Sequence, residues 1–203
     1  MQLTKIVITG GPCGGKSSAM KAIREEFSRK GYRVLFVPET ATELINGGVA
    51  PWTCGTHAEY QTCLLKLQRK KEAIFEEAAR TMGVEKVLLV CDRGALDGKA
   101  YVTEAEFAAM LKEIHSNEGD LRNGYDGIFH LMSAAKGATE SYSIANNAAR
   151  TETAEQAAAL DDKVIEAWRS HPHFRIIDNS TDFEEKLHRL IAEISAFLEE
   201  TEA

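Results

Sequence analysis

Residues 10–17 read GGPCGGKS and match the phosphate-binding template Gly-x-x-x-x-Gly-Lys-Ser. A short apolar, β-branched run precedes the template at residues 5–9, and a helical pattern begins directly after it at Ser18. The template therefore lies in the strand, loop and helix setting that it needs. This combination predicts a nucleotide-phosphate site, and the alternative interpretation is a glycine-rich turn that binds nothing.

Each residue type in the loop has a physical task. The glycines let backbone N–H groups converge on phosphate oxygens, and the helix N-terminus adds a positive dipole end. Lys16 is expected to reach the β- and γ-phosphates, and the Ser17 hydroxyl to ligate a Mg²⁺ ion that bridges them. The residues predicted to bind the nucleotide are Gly10, Gly11, Pro12, Cys13, Gly14, Gly15, Lys16, Ser17 and Ser18.

Length and charge limit the class of protein. We expect one domain over residues 1–203, because domains usually contain about 50 to 250 residues. The chain has 24 basic and 31 acidic residues and a net charge of -7, which disfavours nucleic acid or an anionic membrane as the main partner. The basic residues at 66–71 lie at helical spacing and are expected to form a solvated helix face.

The sequence also predicts a location in the cell. Its four cysteines have no Cys-x-x-Cys spacing, which fits a reducing compartment. Met1 leads almost directly into the first strand without a signal-peptide pattern. No apolar stretch approaches the roughly 18 to 20 residues that a membrane-spanning helix needs. We therefore expect a soluble cytoplasmic protein.

Strand-like and helix-like patterns alternate along the chain. Strands are expected at residues 6–9, 33–37, 86–91, 127–131 and 174–177. Helices are expected at residues 17–30, 57–82, 104–115, 153–169 and 182–200. This order predicts an α/β fold with a doubly wound parallel sheet, in which ligands collect at the carboxyl ends of the strands.

The second predicted strand ends beside a candidate catalytic carboxylate, Glu39. A hydroxyl that accepts a phosphoryl group loses its proton during the transfer, and a carboxylate within hydrogen-bond reach can take that proton. Glu39 is therefore a candidate general base. The alternative is a helix cap or a surface acid.

The third predicted strand ends in Asp92, directly followed by Arg93. An acidic residue after four apolar ones has the Walker B pattern, so Asp92 is expected to hold the Mg²⁺ ion together with Ser17. Arg93 is expected to hold a phosphate or a substrate anion through two parallel hydrogen bonds.

Residues 134–152, after the fourth strand, form a candidate mobile lid because they are rich in Ala, Ser, Asn and Gly. Arg150 is predicted to open a helix there. An arginine that enters over the phosphates stabilises charge on the transferring group and helps to exclude water. The alternative is a surface arginine that pairs with Glu152 or Glu155.

The turn after the fifth strand is predicted to flank the nucleotide base, with Asn179 in contact with the base edge. The alternative is a plain helix start. No Asn-Lys-x-Asp guanine signature follows the strands, which favours ATP over GTP without excluding GTP. Four aromatic residues are candidates for an acceptor pocket, although their spacing favours the core: Trp52, Tyr60, Tyr101 and Trp168.

Several segments together resemble one known family. They are GGPCGGKS at 10–17, VPETAT at 37–42, CDRGALDG at 91–98, HLMSAAKG at 130–137, NNAAR at 146–150 and IDNSTDFEEK at 177–186. They are similar to the AAA-type P-loop domain shared by the ribosylnicotinamide-kinase region of a bacterial NAD regulator and the translocation-defect proteins of animals. The resemblance implies a nucleoside- and nucleotide-kinase-like P-loop fold that binds ATP or GTP with Mg²⁺. It covers the P-loop module alone, without the further domains of those proteins.

Two functions remain open. The first is a small-molecule kinase that transfers the γ-phosphoryl group to an unidentified acceptor, with Lys16, Glu39, Asp92, Arg93 and Arg150 as the catalytic residues. The second is a nucleotide-dependent switch or slow NTPase that acts on a protein partner. An enclosed acceptor pocket formed by residues 57–60 with Trp52 favours the kinase, and an exposed apolar patch there favours the switch. A homodimer is an ordinary outcome for a small protein of this kind.

Overall fold

A computed structural model describes residues 1–136 and 153–202. The strands are β1 (Gln2–Thr9), β2 (Arg33–Val37), β3 (Lys86–Asp92), β4 (Gly127–Leu131) and β5 (Phe174–Ile177). The α-helices are α1 (Lys16–Arg29), α2 (Thr40–Asn46), α3 (His57–Thr81), α4 (Glu104–Glu113), α5 (Glu118–Asn123), α6 (Ala154–Trp168) and α7 (Phe183–Glu202). A short 3₁₀ helix covers Asp97–Tyr101.

The strands form one sheet in the order β2-β3-β1-β4-β5, with every neighbouring pair parallel. Helices cover both faces of the sheet, so the fold is the predicted doubly wound α/β type. The register places Ile8 of β1 opposite Asp92 of β3, and Thr9 opposite His130 of β4. The carboxyl ends of β1, β3 and β4 therefore meet at one edge of the sheet.

Successive side chains of each strand point to opposite faces of the sheet, so the core has two layers, one on each face. Ile6 and Ile8 of β1 pack on one face with α1 and α7, whereas Val7 points to the other face. All three side chains are fully buried. On the Val7 face the sheet is covered by α3, α4 and α6, where Trp168 is fully buried. Apolar burial on both faces explains why the strands read as continuous apolar runs.

Polar side chains fix the starts of several helices. The Thr56 hydroxyl accepts a hydrogen bond from the Glu59 backbone N–H at the start of α3. Thr103 and Glu106 form a reciprocal capping box at α4, and Thr153 and Gln156 form another at α6. Each box pairs two N–H groups that a helix start otherwise leaves without a partner.

The predicted elements lie within a few residues of the observed ones. The sequence patterns did not predict three short helices: α2, α5 and the 3₁₀ helix. Each has only five to seven residues, which is too short for a clear helical periodicity. Residues 137–152 lie outside the described part of the chain, and with them Arg150 and most of the predicted lid. Within the described part, no helix is long and apolar enough to cross a membrane.

Candidate functional site

The loop between β1 and α1 has the backbone of a phosphate cradle. Gly10 and Gly15 have φ angles of 143° and 90°, a region that favours glycine. A Cβ atom on Gly10 would lie 2.1 Å from the carbonyl oxygen of Leu131, so a larger residue does not fit. Gly15 caps α1 without a side-chain hydrogen bond. The N–H groups of the first helical turn are therefore oriented for an anion.

Asp161 of α6 is a buried carboxylate behind this loop. Its Oδ1 accepts hydrogen bonds from the backbone N–H groups of Gly11 (2.8 Å) and Ser133 (3.2 Å), and it lies 3.0 Å from Nε2 of His130. The ammonium of Lys136 lies 3.2 Å from Oδ2. Burial raises the pKa of Asp161, but the hydrogen bonds and charges of these partners, His130 first, bring it down to about 2. An ionised Asp161 therefore joins the phosphate loop to β4 and α6.

Lys186 of α7 is a second buried charge behind the loop. Its ammonium donates to the carbonyl oxygens of Met132 (2.7 Å) and Gly14 (3.4 Å). Burial lowers the pKa of Lys186 to about 8. No motif marks Asp161, and Lys186 is marked only as the last residue of the segment IDNSTDFEEK. Each is a charged residue on the apolar stripe of an amphipathic helix, and that signal is visible in the sequence.

Asn179, predicted to contact the base edge, lines the cleft but supports the loop after β4. Its Nδ2 donates to the carbonyl oxygens of Ser133 (2.8 Å) and Lys136 (2.6 Å). Its Oδ1 accepts a hydrogen bond from Lys186 at 2.7 Å. The side-chain amide is thus engaged in contacts within the protein.

Asp92 and Ser17, the two residues predicted to hold Mg²⁺, line the same cleft as the phosphate loop. The Oδ1 atom of Asp92 is buried, with no hydrogen-bond partner among the described residues. Burial raises the pKa of Asp92, and the nearby ammonium of Lys16 opposes this shift. Ser17 is exposed and lines the same cleft. A Mg²⁺ ion would give the unpartnered carboxylate oxygen a ligand contact, so the residues present fit this metal.

Lys16, the predicted phosphate-binding cation, lies at the start of α1 and lines the cleft. Burial and the positive charge of Arg93 lower the pKa of Lys16, whereas Asp92 and Glu39 raise it. The carboxylates that favour its charge are Asp92, at the end of β3, and Glu39, after β2. This position is consistent with a contact to the β- and γ-phosphates.

Arg93 connects three parts of the site. Its Nε donates to Oε1 of Glu39 at 2.6 Å, and its Nη1 donates to the carbonyl oxygen of Gly10 (3.2 Å) and to Oδ2 of Asp97 (3.3 Å). The backbone of Arg93 has a φ of 69°, which is uncommon for a residue with a side chain. Arg93 thus joins the ends of β2 and β3 to the phosphate loop, and its predicted grip on a substrate anion remains a prediction.

Glu39 occupies the N-cap position of α2, but its side chain does not cap the helix backbone. Its Oε2 accepts a hydrogen bond from the Thr42 hydroxyl at 2.6 Å, and Arg93 binds the other oxygen. Burial raises the pKa of Glu39, but Arg93 and Lys16 lower it to about 2. The carboxylate is therefore ionised at neutral pH and lines the cleft, as a proton acceptor requires.

Aromatic side chains line the cleft beyond Glu39. The rings of His57 and Tyr101 are stacked, with centroids 6.2 Å apart. Tyr60 is 2% exposed, and its hydroxyl has no hydrogen-bond partner among the described residues. Trp52 is 67% exposed and lines the same end of the cleft. The expected core position is right for Trp168 and for Tyr60, which is buried and also borders the cleft, whereas Trp52 and Tyr101 line the cleft without being fully buried.

Most of these groups line one cleft of about 930 Å³; Gly10, Gly11, Asp161 and Trp168 lie behind its surface and do not line it. Pockets for small ligands usually have volumes of about 300 to 1,000 Å³. The cleft follows the carboxyl ends of the strands from Glu39, after β2, to Phe183, at the start of α7. Arg150 lies outside the described residues, so its placement over the phosphates stays a prediction.

The fold and the loop geometry define a P-loop protein of the nucleoside-kinase-like type. A family model described as an AAA domain matches residues 5–186. The chain therefore belongs to the AAA domain family. The narrower resemblance to the ribosylnicotinamide-kinase region and the translocation-defect proteins stays a prediction.

A comparison with solved structures confirms the nucleoside-kinase-like fold. The chain is similar to a deoxyadenosine kinase from M. mycoides, solved with bound dCTP, with a TM-score of 0.62. The alignment covers 95% of this chain and 100% of that chain at 14% sequence identity. At this identity the likeness concerns the fold alone. A search of curated proteins found no match.

Proposed function

We propose that this protein is a Mg²⁺-dependent kinase that transfers the γ-phosphoryl group of ATP or GTP to a hydroxyl group of a small nucleoside- or nucleotide-like acceptor. The observation that carries the proposal is the position of Glu39. This ionised carboxylate lines the same cleft as the phosphate loop, Asp92 and the aromatic side chains of His57, Tyr60 and Tyr101. The similarity between the fold of this chain and that of a deoxyadenosine kinase supports an acceptor of this class.

In the proposed reaction, an oxygen of the acceptor hydroxyl bonds to the γ-phosphorus while the bond from that phosphorus to the β–γ bridging oxygen breaks. The nucleoside diphosphate leaves, and the hydroxyl proton passes to Glu39. Phosphoryl transfer has a loose transition state in which the new bond forms late. The hydroxyl then becomes acidic late as well, so the ionised carboxylate serves mainly to position the hydroxyl and receives its proton once the new bond has formed. The hydrogen bond from Nε of Arg93 to Oε1 of Glu39, 2.6 Å long, keeps that carboxylate oriented.

The remaining residues stabilise charge in this scheme. Lys16 and the backbone N–H groups of the loop hold the β- and γ-phosphates. Ser17 and Asp92 are the residues that would hold Mg²⁺, and the bound ion would neutralise charge on those phosphates. Arg150, from residues 134–152, is assigned on sequence grounds as the cation that closes over the transferring group.

One observation favours the second candidate, a nucleotide-dependent switch. Trp52 and Val49, in the connection between α2 and α3, are 67% and 37% exposed. Large exposed apolar side chains next to a nucleotide site suit a protein partner. In this case the γ-phosphate would order a loop, and no metabolite would be phosphorylated.

A transfer assay separates the two candidates. The purified protein is incubated with Mg²⁺ and ATP or GTP against a panel of nucleosides and nucleotides, and products are identified by mass spectrometry. The kinase requires an acceptor-dependent phosphorylated product that Lys16→Ala abolishes. Nucleotide binding with only slow, acceptor-independent hydrolysis would establish the switch instead.

Glu39→Gln tests the role of the carboxylate within the same assay. We expect the rate of transfer to fall by about 10²- to 10⁴-fold, while nucleotide affinity stays close to that of the wild type. Glu43→Gln is the matched control, because Glu43 lies on the same helix with its side chain 58% exposed. Full transfer activity in Glu39→Gln would contradict the assigned role.

A further inference from the structure

The sheet order places the two ends of the cleft on opposite sides of the phosphate loop. Glu39 follows β2 at one edge of the order β2-β3-β1-β4-β5, and Phe183 begins the helix after β5 at the other edge. The loop follows β1, in the middle. A triphosphate on this loop, with its γ-phosphate toward Asp92 and Glu39, therefore directs its nucleoside to the β5 side.

Phe183 presents an exposed aromatic ring on that side. Its side chain is 49% exposed and lines the cleft. Two ring atoms, Cε2 and Cζ, lie 2.5 and 3.0 Å from the position that a Cβ atom on Gly15 would occupy, so the ring packs against the phosphate loop. Asp182 accepts a hydrogen bond from the Glu185 backbone N–H at 2.9 Å and fixes the first turn of α7. The ring is thus held beside the start of α1.

The neighbouring polar side chain, Asn179, is engaged elsewhere. Both amide hydrogens have acceptors, the carbonyl oxygens of Ser133 and Lys136, and the amide oxygen accepts from Lys186. A contact between this amide and a base edge would break bonds that hold the loop after β4. The aromatic face of Phe183 is the better contact for a base at this end of the cleft.

We propose that Phe183 is the platform on which the base of the donor nucleotide stacks, and that the donor site accepts ATP and GTP with little discrimination. The proposal rests on the proposed function, because it needs a nucleoside triphosphate on the phosphate loop. Every base has a π face, so stacking tolerates different bases. Discrimination between adenine and guanine needs hydrogen-bonding groups aimed at the base edge. Among the described side chains that line this end of the cleft, Asn179, Thr181 and Asp182 already make hydrogen bonds within the protein.

Calorimetric titration with Mg²⁺ present tests this inference, with ATP, GTP and inorganic tripolyphosphate as ligands. We expect Phe183→Ala to weaken ATP and GTP binding by the same factor, between about 5- and 100-fold, because a stacked base is lost. Tripolyphosphate affinity should not change, since this ligand has no base. Phe183→Trp should retain nucleotide affinity. Ile74→Ala, at a residue that is also 49% exposed but lies outside the cleft, is the matched control and should bind like the wild type.

The outcomes separate this inference from the function on which it rests. Wild-type nucleotide affinity in Phe183→Ala overturns the stacking role while the kinase proposal stands. An equal loss for tripolyphosphate also overturns it, because Phe183 would then shape the loop rather than hold the base. A wild-type preference above about tenfold for one nucleotide overturns the lack of discrimination. A wild-type protein that binds none of the three ligands contradicts the proposed function itself.

Discussion

At the scale of single residues, Asp97 shows how one carboxylate holds the site together. It is 4% exposed and lies in the 3₁₀ helix after β3. It accepts hydrogen bonds from the Thr9 hydroxyl (2.6 Å), from Nε1 of Trp168 (2.7 Å) and from Nη1 of Arg93 (3.3 Å). Asp97 therefore links the end of β1, helix α6 and the arginine that orients Glu39.

We predict that Asp97→Asn destabilises the protein. Either orientation of the amide turns an NH₂ group toward a donor, so a buried hydrogen bond is lost. The expected loss is about 2 to 4 kcal/mol in the free energy of unfolding. At this chain length Tm should fall by about 5 to 15 °C in a thermal melt.

The control for Asp97→Asn is Glu113→Gln, which removes the same charge at a residue whose side chain is 57% exposed. Its effect should stay within about 0.5 kcal/mol. If Asp97→Asn and Glu113→Gln had the same Tm, the hydrogen bonds of Asp97 would contribute no more to stability than a surface charge does.

Which residues of the site could be predicted depends on where they stand in the sequence. Glu39 and Asp92 directly follow apolar strands, so the fold class alone places them at the carboxyl edge. Asp97 reaches the site through a turn that strand patterns do not describe. Asp161 and Lys186 enter from helices more than a hundred residues after the phosphate loop, and only packing of those helices brings them there.

At the scale of elements, strands were predicted better than short helices. The observed bounds Arg33–Val37, Gly127–Leu131 and Phe174–Ile177 equal the predicted ones, because buried strands carry a continuous apolar signal. Helix α2 has seven residues and one buried side chain, Thr40. The Thr40 hydroxyl donates to the side chain of Gln68 in α3. Contacts of this kind, rather than local periodicity, hold α2 in place.

Helix α7 is tied to the phosphate loop by Lys186, which makes a pH-dependent contribution to stability. The pKa of Lys186 is about 8 in the folded protein, against an ordinary value of 10.5. Between these pH values the unfolded chain binds the proton more tightly than the folded protein. A rise in pH through this range therefore favours the folded state.

We predict that the free energy of unfolding of the wild type, measured relative to Lys186→Met, increases from pH 8 to pH 10.5, on the order of 3 kcal/mol at most. Urea unfolding across this range gives the difference. Lys21→Met is the matched control, because the Lys21 side chain is 81% exposed, and it should retain the pH dependence of the wild type. A constant difference between the wild type and Lys186→Met would mean that Lys186 does not release its proton in the folded protein.

At the scale of the whole molecule, the cleft collects groups from the carboxyl ends of all five strands and from α7. The Oδ1 atom of Asp92 is buried with no partner among the described residues, and the cap of α1 has no side-chain hydrogen bond. A bound Mg²⁺–nucleotide would contact the loop, Asp92 and Phe183 together. Ligand binding should therefore stabilise the fold as a unit.

We predict that ATP with Mg²⁺, at about 100 times its Kd, adds about 2.7 kcal/mol to the free energy of unfolding and raises Tm by about 5 to 10 °C. Lys16→Ala should lose this increase, and chelation of Mg²⁺ should reduce it, because the cradle and the metal act on the same phosphates. A thermal melt of each sample checks both effects. An increase that survives Lys16→Ala would mean that the nucleotide binds outside the phosphate loop, since only binding on the loop makes the stabilisation depend on this lysine.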